Sequence, residues 1–196
     1  MSRVFVIADL HLGHAKLAQV RGFDNVFAHD NAIVENWNRV VTKRDVVYVL
    51  GDVFRLDRIP EMHGYKKLAM GNHDKFPAAR YAEHFTKVAA CYEFDGCILT
   101  HIPVHPNQFG RYRINVHGHM HAHRIDDPRY VCVSAEQVGM TPTLLAPLTA
   151  VVGSAAIELA AITNHPADLL DARQETLHVE QPAHRTAPIG GDDDGN

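Results

Sequence analysis

The residues of this chain that could do chemistry fall into five short blocks: Asp9-x-His11, Gly51-Asp52, Gly71-Asn72-His73-Asp74, His101 and Gly118-His119-Met120-His121. Carboxylate, amide and imidazole donors together suit borderline first-row divalent ions. An all-oxygen set would suit calcium or magnesium, and a thiolate set structural zinc. The blocks offer seven candidate ligands, too many for one tetrahedral ion. They are enough for two ions that share a carboxylate and keep positions open for water and substrate. In Asp-x-His and His-x-His, alternate residues of an extended segment project to the same side, so each pair can converge on one pocket.

These blocks need a scaffold, and short apolar or β-branched runs supply it. Val4 to Ala8, Val46 to Leu50, Lys67 to Met70, Cys97 to Leu99 and Ile114 to Val116 each read as a buried strand that ends at one block. Tyr130 to Val133 reads as a further strand. Between the first two strands, Ile33, Trp37, Val40 and Val41 recur at helical spacing, which predicts an amphipathic helix over Asp30 to Thr42 with Trp37 in the core. A shorter helix is expected from Pro77 to Phe85, with proline in its first turn. Alternating strands and helices predict an α/β layered domain, whose functional loops gather at the C-terminal ends of strands. After Pro147 the chain turns alanine-rich. Residues 151–180 read as a helical extension, with helices over Ser154 to Ile162 and Ala167 to Thr176, and 181–196 as a disordered tail.

With 196 residues, 46% apolar and 21% charged, the composition fits one globular domain of residues 1–150 plus that extension. Roughly 70% of the unfolded surface can be buried at this size, so a metal is not needed merely to hold the fold and is expected to be functional. No run approaches a membrane span, and Met1 leads straight into a strand without a signal sequence. Cys91, Cys97 and Cys132 are odd in number and form no C-x-x-C, which suits a reducing cytoplasm. The net charge of -4 is concentrated from Val151 onward, where eight acids face two arginines. The remainder is mildly basic, with no clustered basic face of the kind that coats nucleic acid.

The ordered set of blocks resembles the calcineurin-like metallophosphoesterase superfamily, whose pattern runs D-x-H, G-D, G-N-H-D/E, H, G-H-x-H. All five blocks are present between Asp9 and His121. Asp9-Leu10-His11-Leu12-Gly13-His14 and Asn36-Trp37-Asn38 look like the small bacterial and phage phosphoesterases of that superfamily. The resemblance implies a four-layer α/β/β/α sandwich with a binuclear metal site at the strand C-terminal ends. It assigns Asp9, His11 and His121 to one ion and Asn72, His101 and His119 to the other, with Asp52 bridging. His73 becomes the non-ligand histidine beside the scissile phosphate. Manganese is the first expectation for the metal, then iron, nickel, cobalt or zinc. Arg55 stands three residues beyond Asp52, and Asp74 closes the third block, both unlike the Ser/Thr protein phosphatases of the superfamily.

The implied reaction is hydrolysis of a phosphodiester or nucleotide-like phosphoester. A metal-bridging hydroxide attacks phosphorus in line, and His73 protonates the leaving oxygen. From Gly96 to Ile125 there is no Asp or Glu, but six histidines and Arg111, Arg113 and Arg124. That points to Arg111 and Arg113 as a phosphate clamp. His14 is expected to contact substrate, and Arg21, Asn38 and His105 are lesser candidates. The alternatives are a DNA or RNA nuclease of the same superfamily, a lipid-precursor pyrophosphohydrolase, and a non-catalytic scaffold of the same fold.

Overall fold

A computed structural model of the chain describes residues 2–148. The expected helical extension and disordered tail lie outside the described residues. Two mixed sheets make up the framework. The first joins β1 (Val4–Ile7), β2 (Val46–Leu50), β3 (Tyr65–Ala69), β4 (Lys87–Ala89) and β9 (Thr143–Leu144) in the order β4-β3-β2-β1-β9. Its first four strands are parallel, and β9 runs antiparallel at the edge. The second sheet, in the order β5-β6-β7-β8, holds β5 (Cys91–Phe94), β6 (Cys97–Thr100), β7 (Ile114–His117) and β8 (Tyr130–Cys132). Here β6, β7 and β8 are parallel and β5 is antiparallel.

The uninterrupted apolar runs of β1 and β2 follow from burial on both faces, the usual lot of parallel strands. Phe5, Ile7, Val47 and Val49 point to the helical side, where they pack with Ile33, Val34 and Trp37 of α2 (Val26–Val40) and Tyr81 of α3 (Ala78–Ala82). Val6, Ala8, Tyr48 and Leu50 point the other way, against Tyr92, Leu99, Ile114 and Val116 of the second sheet. The described residues thus form helices on one sheet and that sheet on a second. Trp37 is fully buried, as its helical spacing predicts, and its indole N–H donates to the His63 carbonyl at 2.9 Å.

Helix α2 begins before the predicted Asp30, because the Asn25 side chain accepts the Ala28 N–H at 2.9 Å and caps it. A short helix α1 (Ala15–Val20) was not foreseen; it is capped by the His14 ring, which accepts the Leu17 N–H at 3.2 Å. At the end of the sheet remote from the blocks, the buried Asp45 carboxylate ties β1 to β2. It accepts from the Arg3 backbone N–H and guanidinium at 2.9 and 2.7 Å, and from the Thr42 N–H and hydroxyl, each at 2.8 Å. The Arg3 side chain, with the Thr42 and Arg3 amides, holds the Asp45 carboxyl far below the ordinary carboxylate range against the opposing effect of burial.

A depressed folded-state pKa contributes stability above the unfolded value of about 3.9, and that contribution is lost as pH falls through the folded value. Asp45→Asn is therefore expected to lower the melting temperature near neutrality, with the gap from wild type narrowing steadily below about pH 4. Parallel melting curves down to pH 2 would contradict the assignment.

Candidate metal centre

Every block sits just past the C-terminal end of a parallel strand. Asp9 and His11 follow β1, Asp52 follows β2, Asn72 to Asp74 follow β3, His101 follows β6, and His119 and His121 follow β7. A parallel bridge between Ala8 and Ser134 joins the first sheet to the chain just beyond β8 at this same end. Backbones approach one another closely here. A Cβ on Gly118 would lie 2.5 Å from the Ala8 side chain and 2.7 Å from an Asp9 carboxylate oxygen, and one on Gly71 would run into the Asp52 carboxylate. The motif glycines are thus required by proximity.

The ligand loops are also strained. Asp9, His11, Asp52, His119 and His121 have φ of 58°, 48°, 56°, 69° and 50°, a left-handed region uncommon for residues with a Cβ. Each such residue costs on the order of 1–3 kcal/mol, and strain of this kind persists where the surroundings over-determine it, commonly at functional sites.

The Asp52 carboxylate is the hub. One oxygen lies 3.4 Å from His11 Nε2 and the other 3.4 Å from His101 Nε2, and the latter oxygen also accepts the His73 N–H at 2.8 Å. Burial pushes the Asp52 carboxyl up, but His11, the His73 amide and His101 outweigh it and bring it down to about 2. The Asn72 side-chain oxygen lies 2.8 Å from His101 Nε2 and 3.0 Å from His119 Nδ1. His11 and His121 stack with ring centroids 5.3 Å apart, and the His73 ring is also 5.3 Å from His11. All seven expected ligands and His73 are therefore brought together.

The atoms of this cluster suit divalent ions. Asp9 Oδ1 and both ring nitrogens of His11 are buried with no hydrogen-bond partner in the structure, a costly state for polar atoms unless something else coordinates them. Donor atoms of Asp9, His11 and His121 lie within 4.8 Å of one another, as do those of Asp9, Asp52 and His101. The mixture of carboxylate, imidazole and amide oxygen is the set that binds first-row metals.

Asp74 acts beneath the site. Its carboxylate accepts the backbone N–H groups of Asp52, Val53 and Gly71 at 3.0, 2.9 and 2.8 Å, clamping two ligand loops together. His14 joins the rim, with its ring 5.4 Å from His11 and 4.8 Å from Phe54. Its Nδ1 is committed to the α1 cap, so Nε2 is the nitrogen it can offer a substrate. Burial and then His11 push its pKa below the ordinary value.

Arg111 and Arg113 are placed elsewhere, which corrects the clamp expectation. Arg113 precedes β7 and donates to the Asp95 carbonyl at 3.1 Å, and Arg111 pairs with Glu93 and Tyr112 beside the β5–β6 turn. They occupy the strand N-terminal ends, whereas His101 and His119 lie past the C-terminal ends. At about 3.3 Å per residue, the length of β6 or β7 separates them from the cluster. Alanine at either position is expected to leave metal content and any turnover within twofold of wild type; a tenfold change in Michaelis constant would contradict this placement. Asn38 is likewise structural, whereas His105, exposed on the loop past β6, commits only Nδ1 to its cap. The Asn38 amide bridges the Glu61 carbonyl and the His63 N–H, and His105 caps the turn at Pro106.

Sequence reasoning missed Glu136 altogether. It accepts from His121 Nδ1 and from Arg21 Nε, both at 2.9 Å. Burial raises its carboxyl pKa, but His121 and Arg21 prevail and hold it at about 2. Arg21, a candidate for substrate contact, instead has a side chain only 2% exposed and is turned inward.

No family model matches the chain. It is 29% identical over 148 residues to an uncharacterized protein of Methanocaldococcus jannaschii, a match covering 67% of this chain and 76% of that one. It is 37% identical over 84 residues to the gene 66 protein of Mycobacterium phage L5, covering 38% of this chain and 41% of the phage protein. Among solved structures, a protein of unknown function from Aquifex aeolicus superposes with a TM-score of 0.57 at 22% identity, over 72% of this chain and 95% of that one. That likeness is one of fold.

Proposed function

We propose that the chain is a binuclear metal-dependent phosphohydrolase of the metallophosphoesterase kind, acting on phosphodiester or nucleotide-like phosphoester bonds within a four-layer α/β/β/α sandwich. The observation that carries the reading is the Asp52 carboxylate, 3.4 Å from His11 on one side and 3.4 Å from His101 on the other. That is where a ligand shared by two ions would stand. Asp9, His11 and His121 would complete one subsite, and Asn72, His101 and His119 the other. Two divalent ions, manganese first among them, would supply Lewis-acid charge and the activation of water near neutral pH.

The remaining work falls to the chain. Asn72 offers a neutral oxygen, which leaves the pair of subsites electron-poor and attractive to an anionic ester. His73 is fixed at its backbone by Asp52 and carries its ring alongside His11, the place from which a proton can pass to the departing oxygen. His14 Nε2, on the rim, is available to a phosphate oxygen. With Arg111 and Arg113 remote, the ligand loops and His14 carry ester recognition.

The reading is tested by offering manganese-reconstituted protein a panel of phosphomonoesters, linear and cyclic diesters, and nucleotides. Hydrolysis of at least one ester class is expected, diesters ahead of monoesters. Protein that holds two ions and cleaves none of the panel would instead be a scaffold.

A further inference from the structure

The geometry points to Arg21 and Glu136, both outside the five blocks, as a positioning pair that makes the Asp9–His11–His121 subsite the tighter of the two. The inference rests on the binuclear reading above. A carboxylate can only accept, so the 2.9 Å contact with Glu136 puts the His121 proton on Nδ1 and leaves the Nε2 lone pair for a metal. The same Glu136 oxygen accepts from Arg21, whose guanidinium also donates to the backbone carbonyls of Asp9 at 2.7 Å and Leu10 at 3.2 Å. One buried side chain therefore links the loop that carries Asp9 and His11 to the group that orients His121.

The link continues beneath the loop. Arg21 lies 2.9 Å from His29 Nε2, and His29 Nδ1 lies 2.8 Å from Asp30. A guanidinium can only donate, so His29 accepts at Nε2 and gives its Nδ1 proton to Asp30. The Asp30 carboxylate in turn accepts the Gly13 N–H at 2.9 Å. Residues 9 to 13 are thus gripped at both ends by a single hydrogen-bonded chain.

Among the described residues, no carboxylate backs a ligating histidine of the other subsite. His101 Nδ1 meets the neutral Leu50 carbonyl at 2.9 Å, and the 3.0 Å contact of His119 Nδ1 is with the Asn72 oxygen, itself one of that subsite's ligands. A carboxylate behind a ligating histidine raises its basicity and fixes its ring, and losing such a partner typically weakens metal affinity about 10- to 100-fold. The two ions should consequently load in order, the first at Asp9–His11–His121. A purely structural ion pair would change the stability of the metal-free protein and leave the ratio of the two affinities as it was.

Manganese binding to the metal-free full chain, followed by equilibrium dialysis with elemental analysis, separates these outcomes. The variants are Glu136→Gln and the double variant Arg21→Gln/Glu136→Gln, which removes both buried charges together and so avoids stranding one of them. Wild type is expected to bind two ions of unequal affinity. In each variant that folds, the tighter constant should weaken about 10- to 100-fold while the weaker stays within threefold. The absorption bands of cobalt substituted at the first equivalent should shift as well. An unchanged tighter constant, or equal weakening of both, would overturn the positioning role while leaving the binuclear reading intact. Wild-type protein that binds no divalent ion would overturn both.

Discussion

Asp52→Asn is expected to lower turnover by at least about 100-fold, the scale seen when a dominant electrostatic interaction is removed from an active site. The Asp52 carboxyl titrates at about 2, so near neutrality it places a full negative charge between His11 and His101. Asparagine keeps the outline and can still accept the His73 N–H, so the ligand loop should hold its course. It presents an amide N–H₂ to one of the two histidine sides, however, and cannot share a charge between two ions. Loss of the second ion should accompany the loss of rate. Unchanged turnover with two ions still bound would show that Asp52 does not bridge.

His73→Ala should separate substrates by leaving group. An alkoxide needs a proton as its bond to phosphorus breaks, whereas p-nitrophenolate, whose conjugate acid has a pKa of about 7, departs unaided. General-acid assistance contributes about 10²- to 10⁴-fold, so nucleoside or alkyl esters should lose on that order and p-nitrophenyl esters much less. Metal content should be preserved, because the contact of this residue with Asp52 is made through its backbone N–H. Equal losses for both kinds of ester would mean that the ring stabilises transition-state charge instead, and lost metal would make it a ligand.

The cluster was legible because each block follows a short run that reads as a buried strand, strand ends of one polarity meet, and the order of the blocks resembles that of a known superfamily. The same rule, applied to Arg111 and Arg113, places them before β7 and therefore at the wrong end; the charge of the segment was informative only together with strand direction. Glu136 carries no local signal, being one acid in a loop past β8, and its role exists only through Arg21 and His121. From sequence Arg21 is a lesser candidate for substrate contact, and nothing in its neighbours signals that its side chain is buried under the Asp9 loop. The short strands β4, β5 and β9 also escaped prediction. Their pairing comes from the neighbouring strands, and segments of two to four residues carry too little pattern of their own. Helix α1, six residues long, is set by a histidine cap, an unusual one.

Titrating metal back into chelator-stripped protein while following phosphodiester hydrolysis tests the binuclear reading most directly. Stripped protein should be inactive, and activity should rise chiefly with the second equivalent of a first-row divalent ion, which should restore it better than calcium. Full turnover by metal-free protein, or a maximum reached at one equivalent, would contradict it.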